Sequence, residues 1–162
     1  MINFLRKKIN TKFRFISKYI KTENEFMILD VGAGNRSASK TTSVFQNARY
    51  YGLDLNKETD YIEEDFKRMC GFYELDLTKL DLDVIPNNSF DYINMAHVIE
   101  HLYNGDKVLP LLTQKLKNGG YFYVEYPSKK STHLPSMYGT LNFYDDPTHV
   151  RLYDIIELIE IF

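Results

Sequence analysis

From Glu25 onward, short apolar runs alternate with stretches whose apolar positions recur at helical spacing. Five of the runs read as strands, at residues 26–31, 50–54, 71–76, 90–95 and 121–126. Between the fourth and the fifth, Val108, Leu109, Leu112 and Leu116 mark one face of a helix. Asp106 is placed to cap its start, and Gly119-Gly120 to end it. Strand starts about 20 residues apart leave room for crossover connections. Their right-handedness puts every strand's carboxyl end on one edge of a parallel sheet, where ligands bind. The fold class predicted is α/β, a Rossmann-like, doubly wound, mostly parallel sheet in a three-layer sandwich.

Ahead of the first strand, Leu5, Ile9, Phe13, Ile16 and Ile20 form an apolar stripe over residues 3–21, the pattern of an amphipathic helix. Residues 1–21 are therefore set apart as an N-terminal basic helix, expected to pack on the sheet with a solvated basic face. Residues 22–162 form the main domain. After Pro127 about 25 residues lack either periodicity and are rich in Ser, Pro, His, Tyr and Asp, and a loop that long inside a compact domain is usually functional or disordered. A last helix is expected at residues 152–162. There is no internal repeat.

With 162 residues, 44% of them hydrophobic, the chain can bury one sizeable core. Charge is uneven. The first 21 residues carry seven basic side chains and no acidic one, while the remaining 141 hold 13 basic and 22 acidic groups, a net of −9. That distribution lacks the uniformly basic surface of a dedicated nucleic-acid binder, so nucleic acid is not expected as a partner. Cys70 is the only cysteine, no apolar run reaches the roughly 20 residues of a membrane span, and no leader pattern opens the chain. The expectation is a cytoplasmic protein without a transmembrane segment.

The first strand breaks into Asp30-Val31-Gly32-Ala33-Gly34-Asn35. Gly32 and Gly34 permit a sharp bend and a close approach of backbone to ligand. Gly-x-Gly alone is a weak signal. It is strengthened by Asp54, 22 residues after Gly32, whose carboxylate can accept both hydroxyls of a ribose, and by Asp76 at the end of the third strand. Ser37 stands where a dinucleotide fingerprint would want its third glycine. These features, with the segments 90–102 (FDYINMAHVIEHL) and 116–124 (LKNGGYFYV), resemble the class I S-adenosylmethionine-dependent methyltransferases over residues 27–151.

The resemblance implies S-adenosylmethionine as cofactor. Asp30 and the Gly32, Ala33 and Gly34 turn would face its amino-acid part, Asp54 its ribose and Asp76 the adenine amine. Leu55 and Leu77 would lie against the ring, and Ala96 at the end of strand four joins the cofactor set. Class I folds normally add two more strands, so the sheet is expected to lack the last two. Its fifth strand would then be an open edge, suited to a homodimer or a partner chain.

Methyl transfer is an in-line displacement at a sulfonium carbon, so the protein mainly aligns the nucleophile, and a base is needed only if the acceptor must lose a proton. His97, His101, His133 and His149 all fall at the strand-four exit or in the long loop. His97, Glu100 and His101 share one face if helical, a metal half-site. A Glu-x-x-Glu-His pattern completed by a distant histidine binds a divalent ion in the small-RNA 2′-O-methyltransferases and ubiquinone-pathway O-methyltransferases that this segment resembles. Here His97 replaces the first glutamate, which disfavours a hard cation, and a divalent metal is not expected. The same letters match an inverted zinc-protease motif, which is disfavoured because the surrounding motifs assign this segment to a strand-four exit. The plainer alternative is that Glu100 and His101 only orient the loop.

Asp145-Asp146-Pro147-Thr148-His149-Val150-Arg151 gathers a carboxylate, an imidazole and a guanidinium near the fifth strand's exit. His149, His101 and Asp146 are the catalytic candidates, and the alternative for Asp146-Pro147 is a helix-entry turn. The function expected is methyl transfer to an oxygen or nitrogen of a small polar acceptor, a sugar or polysaccharide precursor being one such molecule. The rival is an incomplete or non-catalytic methyltransferase-like module that needs a partner chain.

Overall fold

The computed structural model describes residues 11–56, 61–137 and 142–162. The strands are β1 (Phe26–Val31), β2 (Ala48–Asp54), β3 (Gly71–Glu74), β4 (Phe90–Ala96) and β5 (Leu116–Glu125). They form one sheet of order β3-β2-β1-β4-β5, every pairing parallel. The helices are α1 (Thr11–Tyr19), α2 (Ser37–Val44), α3 (Glu63–Arg68), α4 (Gly105–Thr113) and α5 (Ile155–Ile161). The strand order reverses beside β1, so the crevice between the ends of β1 and β4 is the topological switch point.

β1 is buried on both faces, as its unbroken apolar run requires. Ile28 joins Ile16 of α1, Ala38 of α2, Tyr50 and Tyr92 on one side, while Leu29 and Val31 join Leu109 and Leu112 of α4 and Leu158 of α5 on the other. The result is the expected three-layer sandwich. In α1 the stripe is broader than the sequence suggests. Ile16 is fully buried, Phe13 meets Phe45 edge-on, and Phe15 and Tyr19 pack on Tyr123 and Tyr121 of β5.

Several boundaries differ from the sequence reading. α4 ends at Thr113, and Leu116 opens β5 instead of closing the helix. The carbonyl of Lys115 accepts the amides of both Ser89 and Phe90, so the ladder to β4 takes the backbone that the helical period of Leu116 would claim. Gly119-Gly120 lies inside β5, in a bulge where the register passes from Phe90↔Leu116 to Tyr92↔Tyr121. Asp106 sits in the first turn of α4 and binds Arg151, while Asn104 occupies the cap position. The helix start is held by Tyr153, whose hydroxyl accepts the Gly105 amide (2.9 Å) and donates to the Leu102 carbonyl (2.5 Å).

β3 stops at Glu74, and Asp76 caps a short 3-10 turn, Leu77–Lys79. In the long loop, 3-10 turns form at Lys129–His133 and Phe143–Asp145, and residues 138–141 lie outside the described residues, as do residues 1–10 of the expected N-terminal helix. The last helix is shorter than expected and is capped by Asp154, not Asp146. β5 forms one edge of the five strands among the described residues, and no helix there is long and apolar enough to cross a membrane.

Candidate cofactor and acceptor site

A cavity of about 680 Å³ opens at the carboxyl ends of the strands, within the size range of small-molecule sites. Asp30, Gly32, Gly34, Asp54, Leu55, Asp76, Leu77, Ala96 and His101 all line it, so residues from four strand exits converge on one edge. Ala33 does not join them. Its side chain is fully buried in the core beside Gly52, and its amide, like that of Gly32, is spent on the Leu53 carbonyl.

The bend at Gly32 has a steric cause. Its φ is +73°, and a Cβ there would lie 2.3 Å from Cγ2 of Val98. Only glycine lets the strand turn under the β4 exit.

Asp30 is 1% exposed and accepts from Tyr50 (2.6 Å), Ser37, Asn94 and Lys12 (3.4 Å). Burial and the adjacent carboxylate push the Tyr50 hydroxyl well above its ordinary pKa, so it stays a donor. Asp30 is thus the hub of an internal network that ties α1, α2, β2 and β4 together. The sequence pattern puts Asp30 beside the ligand and Lys12 on a solvated face; in the fold both line the cavity and meet each other.

At the end of β2, Asp54 accepts the Leu55 amide on Oδ1 (2.7 Å) and the Tyr61 hydroxyl on Oδ2 (2.8 Å). Asp76 accepts both the amide and the hydroxyl of Thr78 on Oδ1, and those bonds hold its carboxyl below the usual range. Leu77 is buried and Leu55 exposed, two apolar walls for a flat group.

At the other end stands His97, held in left-handed backbone (φ 56°) with Nδ1 3.3 Å from Glu100 and Nε2 3.5 Å from Glu125. The hydrogen bond to Glu100 raises its pKa; burial works against this, and Glu125 adds to the rise. Such strain in a non-glycine residue collects at functional sites.

His101 and His149 lie side by side, with ring centroids 4.8 Å apart. Nδ1 of His149 donates to the Phe143 carbonyl (2.6 Å), and Nδ1 of His101 faces the carbonyl (3.2 Å) and hydroxyl (2.9 Å) of Thr148. This network assigns the Nδ1–H tautomer to both and leaves Nε2 as the basic nitrogen. The pair is brought together by the long loop, whose Val150 and Arg151 amides bond the Glu100 carbonyl. Glu100 is 1% exposed and its Oε2 has no hydrogen-bond partner among the described residues. Ligand atoms of Glu100, His101 and His149 all fall within 4.8 Å of one another, and His97 stands outside that group with Nδ1 facing Glu100 and Nε2 facing Glu125.

His149 and Asp146 do not line the cavity. Asp146 closes a turn with the Thr148 amide and hydroxyl, its Oδ2 3.8 Å from His149, and those bonds to Thr148 lower its pKa. Arg151 is pinned by Asp106, Glu157 and the Tyr103 carbonyl, which makes it a fastener of the loop.

Strand order, glycine turn and edge cavity together define a Rossmann-like α/β domain with a site shaped for a nucleotide-like ligand. The chain belongs to the methyltransferase-domain family, whose profile matches residues 1–162. It is 31% identical over 114 residues to an uncharacterised protein of Methanocaldococcus jannaschii, spanning 67% of this chain but 30% of that relative's length.

Among solved structures, a SAM-dependent methyltransferase from Archaeoglobus fulgidus superposes with TM-score 0.62 at 23% identity, over 94% of this chain and 72% of its own. Phosphoethanolamine N-methyltransferase 2 of Haemonchus contortus, in complex with phosphomonomethylethanolamine and S-adenosylhomocysteine, superposes with TM-score 0.70 at 21% identity, over 94% of this chain and 35% of its own. At these identities the likeness is one of fold.

Proposed function

We propose that this domain binds S-adenosylmethionine in the edge cavity and transfers its methyl group to an oxygen or nitrogen of a small polar acceptor. One observation carries the reading: the Gly32–Gly34 turn, Asp54, Asp76 and the Leu55 and Leu77 walls line a single cavity. Asp54 would accept the ribose hydroxyls, Asp76 the adenine amine through Oδ2, and the leucines would cover the ring. The acceptor would enter at the end bounded by His97 and His101. There His101 takes any proton that the acceptor must lose, and His149 and Asp146 act through it, as positioning residues, from behind.

Family membership and the two solved folds support the class of reaction. The polar, histidine-rich entrance supports a hydroxylated or amine acceptor such as a sugar or polysaccharide precursor. Calorimetry with S-adenosylmethionine tests the first half, and absence of binding sinks it. Transfer of label from radioactive cofactor to a small-molecule extract tests the second. Binding without transfer to any extract would favour the rival reading, a module that acts only with a partner chain.

A second reading of the entrance is favoured by the orphaned Glu100 Oε2. One carboxylate and two imidazoles suit the borderline ion Zn²⁺, and among harder ions the more nitrogen-tolerant Mn²⁺, better than Mg²⁺. An ion held there would supply a Lewis acid that lowers the acceptor's pKa. The Nδ1 bonds to Phe143 and Thr148 are the outer contacts that orient ligating histidines. Loss of turnover in chelator, restored by Mn²⁺ or Zn²⁺, separates this reading from a metal-free base.

A further inference from the structure

Lys12 is the one residue of α1 that reaches the cavity wall. Its side chain is 13% exposed, and Nζ donates to Ser37 (2.6 Å) while standing 3.4 Å from Asp30. A lysine on an amphipathic helix ordinarily extends into water, since burying an ammonium costs free energy unless a charge or ligand offsets it. Here the whole helix is set to bring it inward. Ile16 is buried, and the ring contacts of Phe13, Phe15 and Tyr19 fix α1 against β5 and the α2 exit.

Asp30 needs no cation to satisfy its hydrogen bonds. Tyr50, Ser37 and Asn94 already serve both of its oxygens from within the sheet and α2. What Asp30 lacks without Lys12 is charge balance, and it lacks it at the turn where the amino-acid end of a cofactor would lie. A ligand carboxylate entering beside Gly32 and Gly34 would otherwise meet a buried anion, a repulsion that low local dielectric makes severe.

We infer that Lys12 is the cofactor-carboxylate residue of this site: its ammonium, held in place by Asp30 and Ser37, binds the carboxylate of the methionyl moiety, and α1 thereby closes the cofactor cavity. This rests on the cofactor reading proposed above and deepens it. The basic N-terminal helix is then part of the site, and Asp30 acts on the ligand through Lys12.

The test uses a ligand pair that differs only in the group in question. S-adenosylmethionine and its decarboxylated analogue share adenosine, sulfonium and amine. The full chain should bind the former more tightly by about tenfold or more, the size of one charge-assisted hydrogen bond. Lys12→Met should abolish most of that difference, with S-adenosylmethionine losing affinity and the decarboxylated analogue, which has no carboxylate to lose a partner, not weakened. Lys12→Gln, whose amide can still donate to Ser37, should do the same without loosening α1, and Lys12→Arg should restore most of the preference. If the parent discriminates and both neutral variants discriminate equally well, Lys12 is a structural partner of Asp30 and the inference is overturned. A parent that binds neither ligand overturns the cofactor reading itself, a distinct result. Equal loss of affinity for both ligands in folded Lys12→Gln also counts against a carboxylate contact.

Discussion

Removing the Asp54 carboxylate is the sharpest perturbation of the cofactor reading, because its two oxygens are already committed in a way that fixes where a ligand can be. Oδ1 takes the Leu55 amide and Oδ2 the Tyr61 hydroxyl, so the group is oriented before any ligand arrives, and among the described residues each oxygen keeps one further acceptor direction. Two ribose hydroxyls would fill those directions. Bonds to a charged acceptor are worth about 1.5–3 kcal/mol each where water is excluded, and the open rim of the site places Asp54 at the lower end of that range.

Asp54→Ala should therefore weaken S-adenosylmethionine by about 2–4 kcal/mol, or roughly 30- to 1000-fold. The same change leaves the Tyr61 hydroxyl without its partner, at a cost of about 1 kcal/mol of stability. Tyr61→Phe isolates this second effect, because its ring keeps its packing on Phe66 and Phe72 and affinity should stay within a few-fold. Titration calorimetry with cofactor and product, alongside thermal melts, reads both quantities. A folded Asp54→Ala protein whose affinity stays within about threefold of the parent would refute the ribose assignment.

His101→Gln should leave cofactor affinity within a few-fold yet lower turnover by about a hundredfold or more if proton removal limits the rate; full activity would return His101 to loop ordering. Gly32→Ala should destabilise the fold by about 2–5 kcal/mol, from left-handed backbone strain and the clash with Val98, measurable by denaturant titration; an unchanged midpoint would contradict the geometry of the turn. Asp65 is buried, and although burial pushes its pKa up, the bonds from the Ser39 hydroxyl and the Ile62 and Ser39 amides outweigh this and hold it low. A depressed folded-state value means stability that is present above the unfolded pKa of about 3.9 and lost as pH falls through the folded one. Asp65→Asn should therefore be less stable than the parent near neutral pH, with the gap closing below about pH 4; a gap independent of pH would refute the charged role.

The parts of this protein legible in its sequence are those decided within a few residues. β1 was readable because a strand buried on both faces must be continuously apolar, and the bend at Gly32 because only glycine passes beneath Val98. Asp54 and Asp76 both lie on the cavity edge, since parallel crossovers bring every strand exit to one side.

Where two local rules competed, tertiary structure chose. Leu116 fits the helical stripe of α4 but serves the β4–β5 ladder, because unpaired amides at Ser89 and Phe90 would cost more than one shortened helix turn. Asp30 and Lys12 are 18 positions apart, and helical periodicity says which face a lysine occupies but not what a long side chain meets beyond it. His101 and His149 are neighbours only because the Glu100 carbonyl receives the loop's amides. Pattern reports backbone bonding and burial, which are local demands. The convergence of charged side chains on one cavity depends on how the layers stack, and only the folded chain contains that information.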